Sequence, residues 1–144
     1  MAKPESVGDE TIFEILKKVK NIAVVGLSPK ENRPSHRVAA YLKSVGYRII
    51  PVRPLVKEIL GERAYGRLED IPPDIRIDMV DIFRRPKQVP PIVRSAISRG
   101  DVKVIWMQEG IVNESAAEDA RKAKMTVVMD RCAYKEHRKM MEEK

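Results

Sequence analysis

Holding a phosphate takes cations, hydroxyls and small residues close together, and one run of this chain supplies all three. Gly26-Leu27-Ser28-Pro29-Lys30-Glu31-Asn32-Arg33-Pro34-Ser35 follows a strand-like stretch and leads into a helical pattern. Gly26 allows a tight turn, Ser28 and Ser35 add hydroxyls, and Lys30 and Arg33 add charge. A helix starting at Pro34 would point free N–H groups at an anion. The dinucleotide fingerprint G-x-G-x-x-G would put glycine at 28 and 31, where Ser28 and Glu31 stand, so only its first glycine is present. The same run also reads as an ordinary polar loop.

Other candidates recur at similar punctuation. An NAD site wants a carboxylate after the second strand to hold the ribose hydroxyls. Here that place holds Pro51-Val52-Arg53-Pro54 and then Lys57, with Glu58 too far along. Two cations there disfavour NAD and favour an adenosine bearing an extra phosphate, as in NADP or coenzyme A. Solvated surface charge is the bland alternative. Phe83-Arg84-Arg85 offers an aromatic face and paired guanidinium groups for an adenine and a phosphate, or merely a core residue followed by surface charge. Met107-Gln108-Glu109-Gly110 ends on a glycine suited to close backbone approach or positive φ. Asp130-Arg131-Cys132 follows the last strand-like run.

Covalent chemistry needs a nucleophile with a base in reach. Cys132 and His137 stand five apart, Ser35 and His36 are adjacent and generally point apart, and Asp130 beside Arg131 reads as a local ion pair. No catalytic constellation emerges, so no turnover is expected of this chain by itself. With one cysteine and two histidines, a disulfide framework, a multi-cysteine metal site and a histidine-rich zinc site are disfavoured.

The elements that must position these residues alternate. Helical spacing covers about Asp9 to Lys20, with Ser6 or Asp9 as its cap, and Ile22 to Leu27 is an apolar run suited to a strand buried on both faces. A helix over Pro34 to Val45 ends at Gly46, and strands follow over Tyr47 to Val52 and Asp78 to Phe83. Between them, Leu55 to Asp74 is irregular, with short helical turns at most. Pro86 to Arg99 reads as a helix ended by Gly100, with Pro90 and Pro91 in its first turn or delaying its start. A strand over Val102 to Met107, a helix over Asn113 to Lys124, a strand over Thr126 to Met129 and a charged helix over Ala133 to Glu143 complete the pattern. Buried strands alternating with helices predict one α/β domain over residues 1–144. It should be three-layered and Rossmann-like, with a mostly parallel sheet of five strands or slightly more. In such a sheet, ligands bind beyond the carboxyl ends of the strands.

The 144 residues carry a net charge of +7, which favours anionic partners without choosing among them. Nucleic acid is the competing class. Its mark would be a basic stripe with interleaved aromatics, whereas Lys and Arg are spread from Lys3 to Lys144 and aromatics make up 5%. No apolar run approaches the roughly 20 residues of a membrane span, and Met1 to Lys20 lacks the apolar core of a secretory signal, so a cytoplasmic location is expected.

Taken in order, Gly26-Leu27-Ser28, Arg33-Pro34-Ser35, Pro51-Val52-x-Pro54, Phe83-Arg84, Trp106-Met107-Gln108-x-Gly110-Ile111 and Asp130-Arg131-Cys132 with Glu136-His137 resemble the small stand-alone CoA-binding proteins. Those are similar to the CoA-binding N-terminal domain of the succinyl-CoA synthetase α-subunit. The resemblance runs over roughly residues 12 to 140. It implies a non-catalytic module that binds CoA or a short acyl-CoA, with Leu27 to Ser35 cradling the pyrophosphate. Val52, Arg53 and Lys57 would lie near the adenosine and its 3′-phosphate, Phe83 and Arg84 would flank the nucleotide, and Met107, Gln108 and Gly110 the pantetheine arm. Cys132 would sit near the incoming thiol, as a partner for a mixed disulfide or as an inert buried side chain. Two positions depart from the family pattern: Arg53 stands where asparagine is usual, and Lys124 where a glycine commonly closes a helix. The resemblance names no protein partner. An NADP or other adenine-nucleotide regulatory domain is the alternative that keeps the site and changes the ligand.

Overall fold

The structure, a computed structural model, describes residues 7–143. Among the described residues, seven strands are numbered in chain order. They are β1 (Asn21–Val25), β2 (Arg48–Val52), β3 (Glu58–Ile59), β4 (Glu62–Arg63), β5 (Met79–Ile82), β6 (Val104–Met107) and β7 (Thr126–Val128). Five helices accompany them: α1 (Asp9–Lys18), α2 (Pro34–Ser44), α3 (Val89–Arg99), α4 (Glu114–Lys122) and α5 (Ala133–Glu142). Five strands form one parallel sheet in the order β2-β1-β5-β6-β7.

Side-chain alternation sorts the core into two layers. Ile22, Val24, Met79 and Trp106 face α1, α2 and α5, while Ala23, Val80, Ile82, Ile105 and Met107 face α3 and α4. Both faces of β1, β5 and β6 are therefore buried, which explains why β1 and β6 read as apolar runs, while β5 buries Asp81 among its apolar residues. Each fully buried Ile or Leu contributes about 1.5–3 kcal/mol relative to exposure.

Local chemistry sets the helix ends. Pro34 opens α2, where its missing N–H costs nothing, and Pro90 and Pro91 fall in the first turn of α3, after a 3-10 turn over Pro86–Gln88. Gly100 closes α3 at φ +84°, and the Asn113 side chain caps α4 by accepting from the Ala116 N–H. Asp9 stands in the first turn of α1 and does not cap it; Gly8 holds the cap position, and Ser6 lies outside the described residues.

The Leu55–Asp74 stretch is more ordered than its composition suggests. Strands β3 and β4 form an antiparallel hairpin whose two turn residues, Leu60 (φ +57°) and Gly61 (φ +75°), adopt the left-handed pair that tight hairpins require. Tyr65 then pairs with β2: its N–H donates to the Pro51 carbonyl at 3.0 Å and its carbonyl accepts from Arg53 N at 2.7 Å.

From β1 the chain winds outward to β2, then crosses to β5 on the other flank of β1. Winding direction reverses there, and a crevice opens beyond the carboxyl ends of β1 and β5.

Candidate functional site

Gly26 sits at that reversal. Its φ is +88°, and a Cβ added to it would lie 2.5 Å from the Phe83 carbonyl oxygen and 3.0 Å from Arg84 Cδ. Backbone conformation and space both demand glycine here. The loop that follows is braced from within. Ser28 N–H donates to Ser35 Oγ at 2.9 Å, His36 Nδ1 donates to the Ser28 carbonyl at 2.9 Å, and Lys30 N–H donates to Ser28 Oγ at 3.1 Å. Ser28 and Ser35 are buried, so these bonds set the loop's shape before any ligand arrives. Each hydroxyl keeps its own hydrogen to donate.

Two cavities meet at Gly26. The smaller, about 380 Å³, lies over the start of α2 and is bordered by Ser28, Pro29, Lys30, Arg33, Pro34, Ser35, Arg53 and Phe83. Three cations and a helix N-terminus favour an anion there. The larger, about 520 Å³, lies over α3, with a floor of Val25, Val52, Leu68 and Ile92 and a rim that includes Pro54, Arg67, Glu69, Arg84 and Lys87. An apolar floor with a few polar groups on its rim suits a flat ring carrying charged substituents. Together they form one trough across the ends of β2, β1 and β5.

Of the residues singled out from sequence, the trough gathers Gly26, Ser28, Lys30, Arg33, Pro34, Ser35, Val52, Arg53, Pro54, Phe83 and Arg84. Arg53 turns back across the first loop, with Nη1 at 3.5 and 3.4 Å from the Gly26 and Leu27 carbonyls, rather than outward. The other six residues stand elsewhere. Leu27 is fully buried in the core, and Lys57 is exposed and borders neither cavity. Met107 is fully buried because the last residue of β6 points into the α3–α4 layer. Gln108 Oε1 accepts from Ala133 N–H at 3.1 Å, which ties its amide oxygen to the first turn of α5. Gly110 takes a positive φ (+81°), no protein atom lies within 4 Å of its added Cβ, and its N–H donates to Asp130 Oδ1 at 2.7 Å. Cys132 is buried at the cap position of α5, and His137 instead shares a 2.7 Å hydrogen bond with the Tyr41 hydroxyl. Burial lowers the pKa of that imidazole. Asp130 does not pair with Arg131, whose Nη1 lies 3.5 Å from Glu136 Oε2.

A model of the CoA binding domain matches residues 20–138. The chain belongs to this family. An uncharacterized protein of Bacillus subtilis, YneT, is 42% identical over 126 residues, covering 88% of this chain and 91% of that protein. A hypothetical protein from Pyrococcus horikoshii of solved structure shares 38% identity at a TM-score of 0.89, with 98% of this chain and 99% of that one covered. The fold also recurs in the dinucleotide-forming acetyl-coenzyme A synthetase 1 of Ca. Korarchaeum cryptofilum. The TM-score is 0.64 at 23% identity, over 75% of this chain and 25% of that one.

Sequence reading overlooked part of this CoA binding domain's trough. Gln88, Pro91, Ile92 and Ser95 line the larger cavity from the start of α3, and their i, i+3, i+4, i+7 spacing was the available signal for one shared face. Gly66, Arg67, Leu68 and Glu69 arrive from a segment without regular strands, and only Gly66 beside a cation hinted at them.

Proposed function

We propose that this chain binds coenzyme A, free or acylated, by its nucleotide end, as a binding or sensing module without turnover of its own. The carrying observation is the pair of cavities joined at Gly26. The smaller supplies cations, braced hydroxyls and a helix start for the pyrophosphate; the larger supplies an apolar floor for the adenine, with Arg84, Lys87 and Arg67 around it for the 3′-phosphate. Gly26 lacks a Cβ where the two meet, so a pyrophosphate can approach the backbone. The histidine and cysteine side chains do not favour catalysis, since His36 braces the loop, His137 bonds Tyr41, and Cys132 is buried. A buried thiol also favours the inert reading of Cys132 over a mixed disulfide.

Isothermal titration of one sample with CoA, dephospho-CoA and NADP tests this. CoA should bind most tightly, with dephospho-CoA about tenfold weaker for one lost charge-assisted contact. Equal affinity for CoA and dephospho-CoA would remove the 3′-phosphate assignment, and tighter binding of NADP would change the ligand.

A further inference from the structure

One wall of the larger cavity is built from neither strand nor α-helix, and its 3-10 turn packs on α3 through Leu68 and Ile71. Gly66, Arg67, Leu68 and Glu69 border the cavity and belong to a segment that runs to β5 with one 3-10 turn, Leu68–Asp70. Carbonyls in such a segment have no ladder partners and must be satisfied in another way.

Arg99, the last residue of α3, donates to three of them. The Leu68 carbonyl also accepts from the Ile71 N–H at 3.1 Å, while those of Ile71 and Ile75 take their hydrogen bonds from the Arg99 guanidinium. Its side chain is 9% exposed. Nη1 donates to the carbonyls of Ile71 at 2.8 Å and Leu68 at 3.4 Å. Nη2 donates to the Ile75 carbonyl at 2.9 Å and Asp101 Oδ2 at 3.1 Å, and Nε donates to Asp101 Oδ1 at 3.2 Å. All five guanidinium N–H groups are thereby used. Asp101 Oδ2 also accepts from the Ile77 N–H at 3.0 Å, which ties the far end of the segment to the same knot.

Resting on the reading of the trough as a nucleotide site, we infer that Arg99 is a positioning residue for the nucleotide end of the ligand. It holds the wall over residues 66–69 in place while bordering neither cavity itself. Lysine would keep the charge, but its three donors radiate from one point and cannot span three carbonyls and a carboxylate. A wall that is not held in place must be ordered when the ligand arrives, and binding then bears that cost.

The test uses the full chain as wild type, Arg99→Lys and Asp101→Asn. CoA and adenosine 3′,5′-bisphosphate are titrated calorimetrically, and amide exchange is followed with and without saturating CoA. Arg99→Lys should bind both ligands about tenfold more weakly. It should exchange faster over residues 66–76 but not over α2, and regain protection there when CoA is saturating. Asp101→Asn, the milder change, should shift both readouts in the same direction by less, and it carries the test if Arg99→Lys does not fold. Unchanged CoA affinity, or fast exchange spread through the sheet and α2, would overturn the inference while leaving the functional reading intact. A wild type that binds neither ligand would overturn the functional reading, and this inference with it.

Discussion

Gly26 meets two demands at one position: a left-handed backbone and an approach of 2.5 Å between its missing Cβ and the Phe83 carbonyl. The obstructing atom is backbone, so it cannot swing aside as a flexible side chain would. Gly26→Ala should therefore lose at least about 2 kcal/mol of stability by urea denaturation, from left-handed strain plus displacement of the β5 end, and CoA affinity should fall with it. At this scale the sequence was legible where chemistry is local. Ser28, Arg33 and Ser35 lie within ten residues of Gly26 and reach the smaller cavity from one loop. It misled where position along a strand was read without asking which face a side chain takes. Met107 ends β6 yet points into the core, and the Gln108 amide oxygen is engaged by the start of α5. Arg99 left no mark at all in the sequence reading, because its value depends on three carbonyls that only tertiary packing brings to it.

Helices and sheet strands were readable from periodicity and punctuation, and each of the five main strands and five helices stands within a few residues of its expected place. The hairpin of β3 and β4 escaped because its strands have two residues each, too short for any alternation to show, and because one of its turn residues is Leu60 rather than asparagine or glycine. A related departure marks the end of α4. Lys124 takes φ +71°, the conformation for which glycine is the ordinary choice, and its N–H donates to the Arg121 carbonyl at 2.9 Å. Lys124→Gly should relieve that strain and raise stability by about 1 kcal/mol, offset in part by the greater freedom of the unfolded chain. Denaturant midpoints measure the gain. CoA affinity should not change, since residue 124 lies before β7, at the opposite end of the strands from the trough.

For the molecule as a whole, the parallel sheet and its two helical layers follow from alternating patterns, while the cost hidden in the centre of that sheet does not. Asp81 on β5 is fully buried, neither carboxyl oxygen has a hydrogen-bond partner among the described residues, and burial pushes its pKa well above the ordinary value of 3.8. The folded state therefore keeps a proton that the unfolded chain gives up. The associated stability is fully present below about pH 3.8 and is lost as pH rises through the folded-state value. Asp81→Asn cannot ionise, so the stability of wild type minus variant should decline with rising pH above that point. Urea titrations at several pH values read this difference directly, and a flat difference would show that Asp81 ionises alike in both states. The strap formed by Tyr65 has a consequence on a larger scale still. By occupying the Pro51 carbonyl and the Arg53 amide, it leaves the outer margin of β2 poorly suited to recruit a strand from another molecule. That shields one of the sheet's two margins from edge-to-edge association, the other being β7.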